Sequence, residues 1–82
     1  MNSGELIDIG FKTYIVKSRV QGIFSPSNSI IKKFKSVADK EQMILNLTYG
    51  AETKSFIMMD SGHVVMTVLS VEEFLQLYMQ PN

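Results

Sequence analysis

Hydrophobic and polar residues alternate most clearly between Met43 and Tyr49: Met43, Leu45, Leu47 and Tyr49 point to one side of an extended chain, Ile44, Asn46 and Thr48 to the other. That period predicts a strand. Gly50-Ala51-Glu52-Thr53 then reads as a hairpin loop and Lys54 to Asp60 as the return strand. Ser61-Gly62 reads as a tight hairpin turn, with a further strand from His63 to Leu69. Upstream, Leu6-Ile7-Asp8-Ile9 predicts a short strand ended by Gly10. Tyr14-Ile15-Val16 predicts another, and Val20 to Phe24 a third, weakened by Gly22. Between Phe24 and Met43 the period changes. Ile30, Phe34, Val37 and Ala38 recur at helical spacing, with Ile31 at the edge of the stripe, and predict an amphipathic helix over 27–41. Ser25-Pro26 gives it a start, and Ser27, Asn28 or Ser29 offers a cap instead. Ser70 and Glu73 form the pattern of a capping box, opening a closing helix with Val71, Phe74, Leu75 and Tyr78 on its apolar side and Pro81 beyond its end.

The turns imply registers. Tyr49 is expected opposite Lys54, and Asp60 opposite His63. One sheet face then carries Met43, Leu45, Leu47, Tyr49, Phe56, Met58, Val65, Thr67 and Leu69. The other carries Ile44, Asn46, Thr48, Ser55, Ile57, Met59, Val64, Met66 and Val68. Both faces are largely apolar, and two short helices are expected to leave one without cover, so a second copy of the chain is the expected lid. The fold class that follows is α+β: a small antiparallel sheet of about five to six strands with two helices, self-associating as a homo-oligomer. The 82 residues suffice for one domain, 1–82, and a chain this short is marginal as a lone monomer.

Composition narrows the function classes. With no Cys and a single His, disulfides, thiolate metal sites and a histidine metal cage are excluded, and no cofactor is expected. No apolar run is long enough to span a bilayer, and Met1 to Glu5 lacks the basic and apolar regions of a signal peptide, so a cytoplasmic protein without a membrane partner is expected. The zero net charge is unevenly distributed: residues 1–35 carry a balance of +4 through Lys12, Lys17, Arg19, Lys32, Lys33 and Lys35 against Glu5 and Asp8, and residues 36–82 carry −4. Such asymmetry fits a basic face for a polyanion, and equally an ordinary solvated surface. Asp60, Ser61 and His63 hold the residue types of a hydrolase triad. Positions so close across a tight turn hardly allow the required geometry, and Asp60 with His63 reads better as a cross-strand pair. No phosphate loop or nucleophile elbow occurs, so neither an enzyme nor a small-molecule substrate is expected.

Ile7-Asp8-Ile9-Gly10-Phe11, Ile15-Val16, Arg19, Ser25-Pro26, Ile31-Lys32-Lys33, Thr48-Tyr49-Gly50 and Met59-Asp60-Ser61-Gly62-His63-Val64-Val65 occur in an order and spacing that resembles the RemA family of bacterial regulatory proteins. The resemblance implies a small DNA-binding transcription regulator, linked in its best-known members to biofilm matrix genes, assembled as a ring-like homo-oligomer with arginines around the outside. Of the family's DNA-contacting arginines, one follows the second strand and corresponds to Arg19. The other place is an Arg-Arg pair after Tyr-Gly, and there Ala51 and Glu52 stand in this chain, with Lys54 the nearby cation.

The nucleic-acid-binding candidates are therefore Arg19, with Lys17, Lys32, Lys33 and Lys54 assisting; the expected partner is double-stranded DNA. Each has a plainer reading. Arg19 could form a surface ion pair with Asp8 or Glu5, and Lys32 and Lys33 could line a solvated helix face. Glu52 and Lys54 could pair across their loop. Tyr49 could stack on a base, but an aromatic ending an apolar strand face is more often core. Ala51 and Glu52 support a rival function, an oligomeric scaffold or protein-binding regulator without DNA binding. A single-stranded RNA binder would need exposed aromatics, with Phe11 and Tyr14 the candidates.

Overall fold

The computed structural model of the chain describes residues 6–80; Glu5 and Pro81, to which the sequence pattern assigns a possible ion pair and a helix stop, lie outside them. Strands β1 (Leu6–Asp8), β2 (Tyr14–Val16), β3 (Val20–Phe24), β4 (Ile44–Asn46), β5 (Ser55–Met59) and β6 (Val64–Thr67) accompany helices α1 (Ser29–Lys40) and α2 (Val71–Tyr78). The α+β expectation holds, but the strands form two sheets: an antiparallel β1–β2 ribbon and a four-stranded sheet of order β3-β5-β6-β4.

Two expected registers are overturned. Strand β4 does not pair with β5 as a hairpin; it lies parallel to β6, Ile44 beside Val64 and Asn46 beside Met66. The period of two breaks because Asn46 turns its side chain back on the main chain, its Oδ1 accepting from the Thr48 amide at 3.1 Å and the Thr48 hydroxyl at 2.6 Å. The segment that follows carries the chain past the end of β6, where the Leu47 amide donates to Met66 O and the Lys54 amide to Thr67 O. At the other end, Asp60-Ser61-Gly62 form a three-residue loop, with the Gly62 amide donating to Met59 O at 3.0 Å and the Met59 amide to His63 O at 2.9 Å. A two-residue turn of the favoured type I′ needs positive φ at both loop positions; here Gly62 supplies it, at 94°, and Ser61 does not. Met59, not Asp60, therefore faces His63.

That slip moves β6 over by one residue and exchanges its faces. Phe56, Met58, Val64, Met66 and Ile44 pack with Phe24 and Met43 under Ile31 and Ala38 of α1. On the opposite face, Ile57 and Val65 pack with Ile7, Ile9 and Ile15 of the ribbon segment and Phe74 of α2. The helices thus cover opposite faces, with the ribbon beside α2. A second copy is not needed to close the core, contrary to the coverage argument from sequence. Ser55 and Thr67, at 0% exposure within this core, are satisfied: Ser55 Oγ donates to Leu69 O at 2.7 Å, and Thr67 Oγ1 accepts from the Leu69 amide at 3.2 Å.

Both helices are closed by side chains and backbone. Asn28 is the cap of α1, its Oδ1 accepting from the Ile30 amide at 2.8 Å. The helix is rotated from the expected stripe: Ile31 and Ala38 are buried, while Ile30, Phe34 and Val37 are exposed. It ends in a Schellman arrangement, with the Met43 amide donating to Ala38 O and the Gln42 amide to Asp39 O. Gln42 takes the left-handed position, φ 58°, where glycine is the usual residue. At α2 the capping box is complete, Ser70 Oγ accepting from the Glu73 amide at 3.1 Å and Glu73 Oε1 from the Ser70 amide at 2.9 Å. The hydrogen bonds from Ser70, aided by the charge of Lys54, hold the Glu73 carboxyl below its usual range.

Gln42→Gly is expected to raise stability by about 0.5–1 kcal/mol, because the left-handed penalty of an L side chain outweighs the added freedom of the unfolded chain; the urea midpoint measures it. A carboxyl held low when folded contributes stability that is complete above its ordinary pKa of about 4.3 and is lost as pH falls through the lower folded-state value. Urea midpoints of the native chain should accordingly fall through this acid range, and those of Glu73→Gln should fall less steeply.

Candidate nucleic-acid interface

Arg19 closes a single 3₁₀ turn, Lys17–Arg19, that joins β2 to β3. The turn presents its side chains at one end of the larger sheet, beside the β5–β6 loop. There the Asp60 amide donates to Arg19 O at 2.8 Å and Arg19 Nη1 donates to Asp60 Oδ2 at 3.4 Å. Arg19 is 67% exposed at its side chain and Asp60 47%. The plainer expectation of an ion pair with Asp8 is replaced: Asp8 Oδ1 instead accepts from the Gly10 amide at 2.8 Å. A bulge between Val20 and Gly22, where β3 slips against β5, directly follows Arg19; bulges of this kind turn side chains away from the sheet's ordinary spacing.

The remaining cations do not gather around Arg19. Lys17, on the same turn, extends across α2, its Nζ 5.0 Å from the centre of the Tyr78 ring. Lys32 and Lys33 are exposed on α1, and Lys32 flanks a shallow groove with Lys35, Asp39, Asn46 and Met66 at the β4 edge. Lys35 places its Nζ 5.6 Å from the Phe56 ring centre. Lys54 precedes β5 at the end of the sheet opposite Asp60, about 20 Å from it by strand rise. Two places that the family resemblance treats as one DNA-contacting set thus lie at opposite ends of a single protomer. The expected Glu52–Lys54 pair is not formed: among the described residues Arg19–Asp60 is the one ion pair.

At the start of the loop that leads to Lys54 stands an aromatic pair, of which the strand pattern placed Tyr49 in the core and left Phe11 a candidate exposed ring. Tyr49 is 64% exposed and its ring meets that of Phe11, 54% exposed, at a centroid distance of 4.8 Å and a 52° tilt. Both residues have left-handed backbones, φ 52° at Tyr49 and 54° at Phe11, flanked by further positive φ at Gly10, Lys12 and Gly50. Bulky residues adopt this region at a cost, so two loops hold two rings out of the core against their local preference. The signal in the sequence was Asn46 two residues before Thr48, a side chain suited to end a strand before Tyr49 is reached.

In the β5–β6 loop, Ser61 Oγ lies 2.7 Å from His63 Nδ1. Asp60 faces Arg19 and not the imidazole, so the expected Asp60–His63 cross-strand pair is absent and the ring has no carboxylate behind it from this loop. Among the described residues, no group of His, Asp and Glu side chains could hold a metal ion, and no helix is long and apolar enough to cross a membrane.

Because the Arg19–Asp60 pair is exposed and held by one long hydrogen bond, Arg19→Ala should change folding stability by less than about 1 kcal/mol. A urea midpoint within that margin would leave any loss of binding in the variant attributable to the lost side chain itself.

Residues 6–76 match the family model described as extracellular matrix regulatory protein A-like. A protein of Dictyoglomus turgidum is 40% identical over 68 residues, covering 83% of this chain and 80% of its own length. One from Nitratidesulfovibrio vulgaris is 35% identical over 81 residues, 99% of this chain and 92% of its own, and one from Petrotoga mobilis is 35% identical over 75 residues, 92% and 79%. All three are named for a provisionally assigned regulatory role and for nothing more specific. A match across both sheets and most of α2, with relatives aligned over about four fifths or more of their own length, places this chain in the RemA-like family of regulatory proteins.

Proposed function

We propose that the chain, as one RemA-like unit over 1–82, is a self-associating DNA-binding transcriptional regulator acting in the cytoplasm. Its basic rim contacts the phosphate backbone chiefly through Arg19, with Lys17, Lys32, Lys33 and Lys54 assisting. The observation that carries this reading is the lone arginine: it stands on a one-turn connection at the sheet end, two-thirds exposed, in a chain of this family. A planar guanidinium offered to solvent is the side chain best suited to a phosphate. A role at matrix genes rests on the family's description alone.

Self-association is supported by apolar surface that the core does not use. Ile30, Phe34 and Val37 are exposed along the outer side of α1. Leu6, Tyr14 and Val16 are exposed on the outer side of the ribbon, over the opposite face of the sheet. Two unlike patches on opposite sides suit a head-to-tail contact, which closes into a ring or continues as a filament. In an assembly, the Arg19 end of one protomer and the Lys54 end of another can line one rim, and many weak contacts then act together on a long duplex.

The second reading is a scaffold or protein-binding regulator without DNA affinity. It is favoured by Ala51 and Glu52, both exposed at the loop where the family resemblance calls for two arginines. Fluorescence anisotropy of a labelled A·T-rich duplex at about 50 and 200 mM salt separates the two. The DNA reading expects binding that weakens steeply with salt, is reduced in Arg19→Ala and is strengthened in Ala51→Arg/Glu52→Arg. Absence of binding at the lower salt would favour the scaffold. A monomer in light scattering at micromolar concentration would remove the assembly from both readings.

A further inference from the structure

The Arg19–Asp60 pair is the one ion pair among the described residues, and it engages the side chain on which DNA binding is proposed to depend. Its members are not brought together by chance meeting of long side chains. Although 41 positions apart in sequence, they are fixed next to each other by the Asp60 amide bonded to Arg19 O at 2.8 Å, where β3 runs beside the β5–β6 loop. The side-chain contact itself is loose, a single Nη1 at 3.4 Å from Oδ2, with no second guanidinium bond among the described residues. Both groups are open to solvent. Glu41 borders the same groove as Asp60, and no cation is among the residues that line it.

We propose that Asp60 is an internal competitor for the DNA phosphate at Arg19 and thereby sets the affinity of the basic rim. This rests on the reading of Arg19 as a DNA contact. A carboxylate and a phosphate present the same kind of paired oxygen acceptors to a guanidinium. An incoming phosphate must displace Asp60 Oδ2, and it gains a second hydrogen bond that the one-point contact with Asp60 lacks. Once displaced, the carboxylate remains next to the phosphate and repels it. Asp60 therefore weakens the complex twice, first by occupying Arg19 and then by opposing its new partner. The backbone bond keeps the competitor in place in every protomer, so an assembled rim with many copies binds DNA reversibly and not permanently.

Anisotropy titrations on the full chain test this with native protein, Asp60→Asn, Asp39→Asn and Arg19→Ala, together with the Arg19→Ala/Asp60→Asn double variant, on one A·T-rich duplex at about 50 mM salt. Asparagine is well suited to a loop position of this kind, and Asp60→Ser supplies a second variant should Asn disturb the loop. Asp39, at the β4 edge across the sheet from Arg19, removes the same charge without touching the pair. The expected result is a two- to fivefold tightening, about the range of an exposed ion pair, in Asp60→Asn. It should be absent from Asp39→Asn and from the Arg19→Ala background. If Arg19→Ala weakens binding while Asp60→Asn leaves it unchanged or weaker, or if Asp39→Asn tightens it equally, Asp60 is not a competitor although Arg19 remains a contact. If Arg19→Ala binds as well as native protein, or if neither native protein nor Asp60→Asn binds at all, the DNA reading of Arg19 fails and the competitor role with it.

Discussion

The pairing of β5 with β6 across Asp60-Ser61-Gly62 fixes the side of the sheet on which every other element packs. Because Gly62 takes the left-handed position and Ser61 does not, three residues make the connection and Met59 meets His63. Phe56 and Val64 are then on one face, Ile57 and Val65 on the other. Each face is a complete apolar surface with its own cover: α1 over the first, α2 and the β1–β2 ribbon over the second. A register shifted by one residue would turn Val64 and Val65 to the wrong sides and leave neither cover a continuous surface to bury.

The order and kind of the strands and helices follow from local patterns, although the strand expected over Met43 to Tyr49 is cut to Ile44–Asn46. Val20–Phe24 and Tyr14–Val16 match the expected strands, and the Ser70–Glu73 box starts α2 as the spacing indicates. What local patterns could not supply was pairing. An apolar chain with loops of similar length admits β4 either as the hairpin partner of β5 or as the parallel neighbour of β6, and the choice turns on Asn46 closing a turn with Thr48. The same limit explains the helix stripe. Ile30, Phe34 and Val37 have the right spacing for a core face, yet Ile31 and Ala38 are the residues that reach the sheet. Spacing identifies a face without saying which of two overlapping apolar faces is buried.

At the candidate interface the position of Arg19 after β2 was evident from the chain, while its neighbour was not. Asp60 reads locally as a turn residue, and its contact with Arg19 exists only once β3 lies against β5. Lys54 lies at the far end of the sheet from Arg19, so a rim containing both is a property of an assembly more readily than of one protomer. The exposed pair Phe11–Tyr49, held on strained backbone where the loop toward Lys54 begins, has a shape and chemistry quite unlike the charged corner at Arg19.

Strand β5 has a neighbour along each edge and begins with Ser55, Phe56 and Ile57, all buried. Its two faces touch the two halves of the core, so neither α1 nor α2 can leave without stripping a side of the same strand. Melting on one face is thereby tied to melting on the other. Such a small layered chain behaves as one cooperative unit, and amide protons of β5 should be among the last to exchange, released only by opening of the whole molecule.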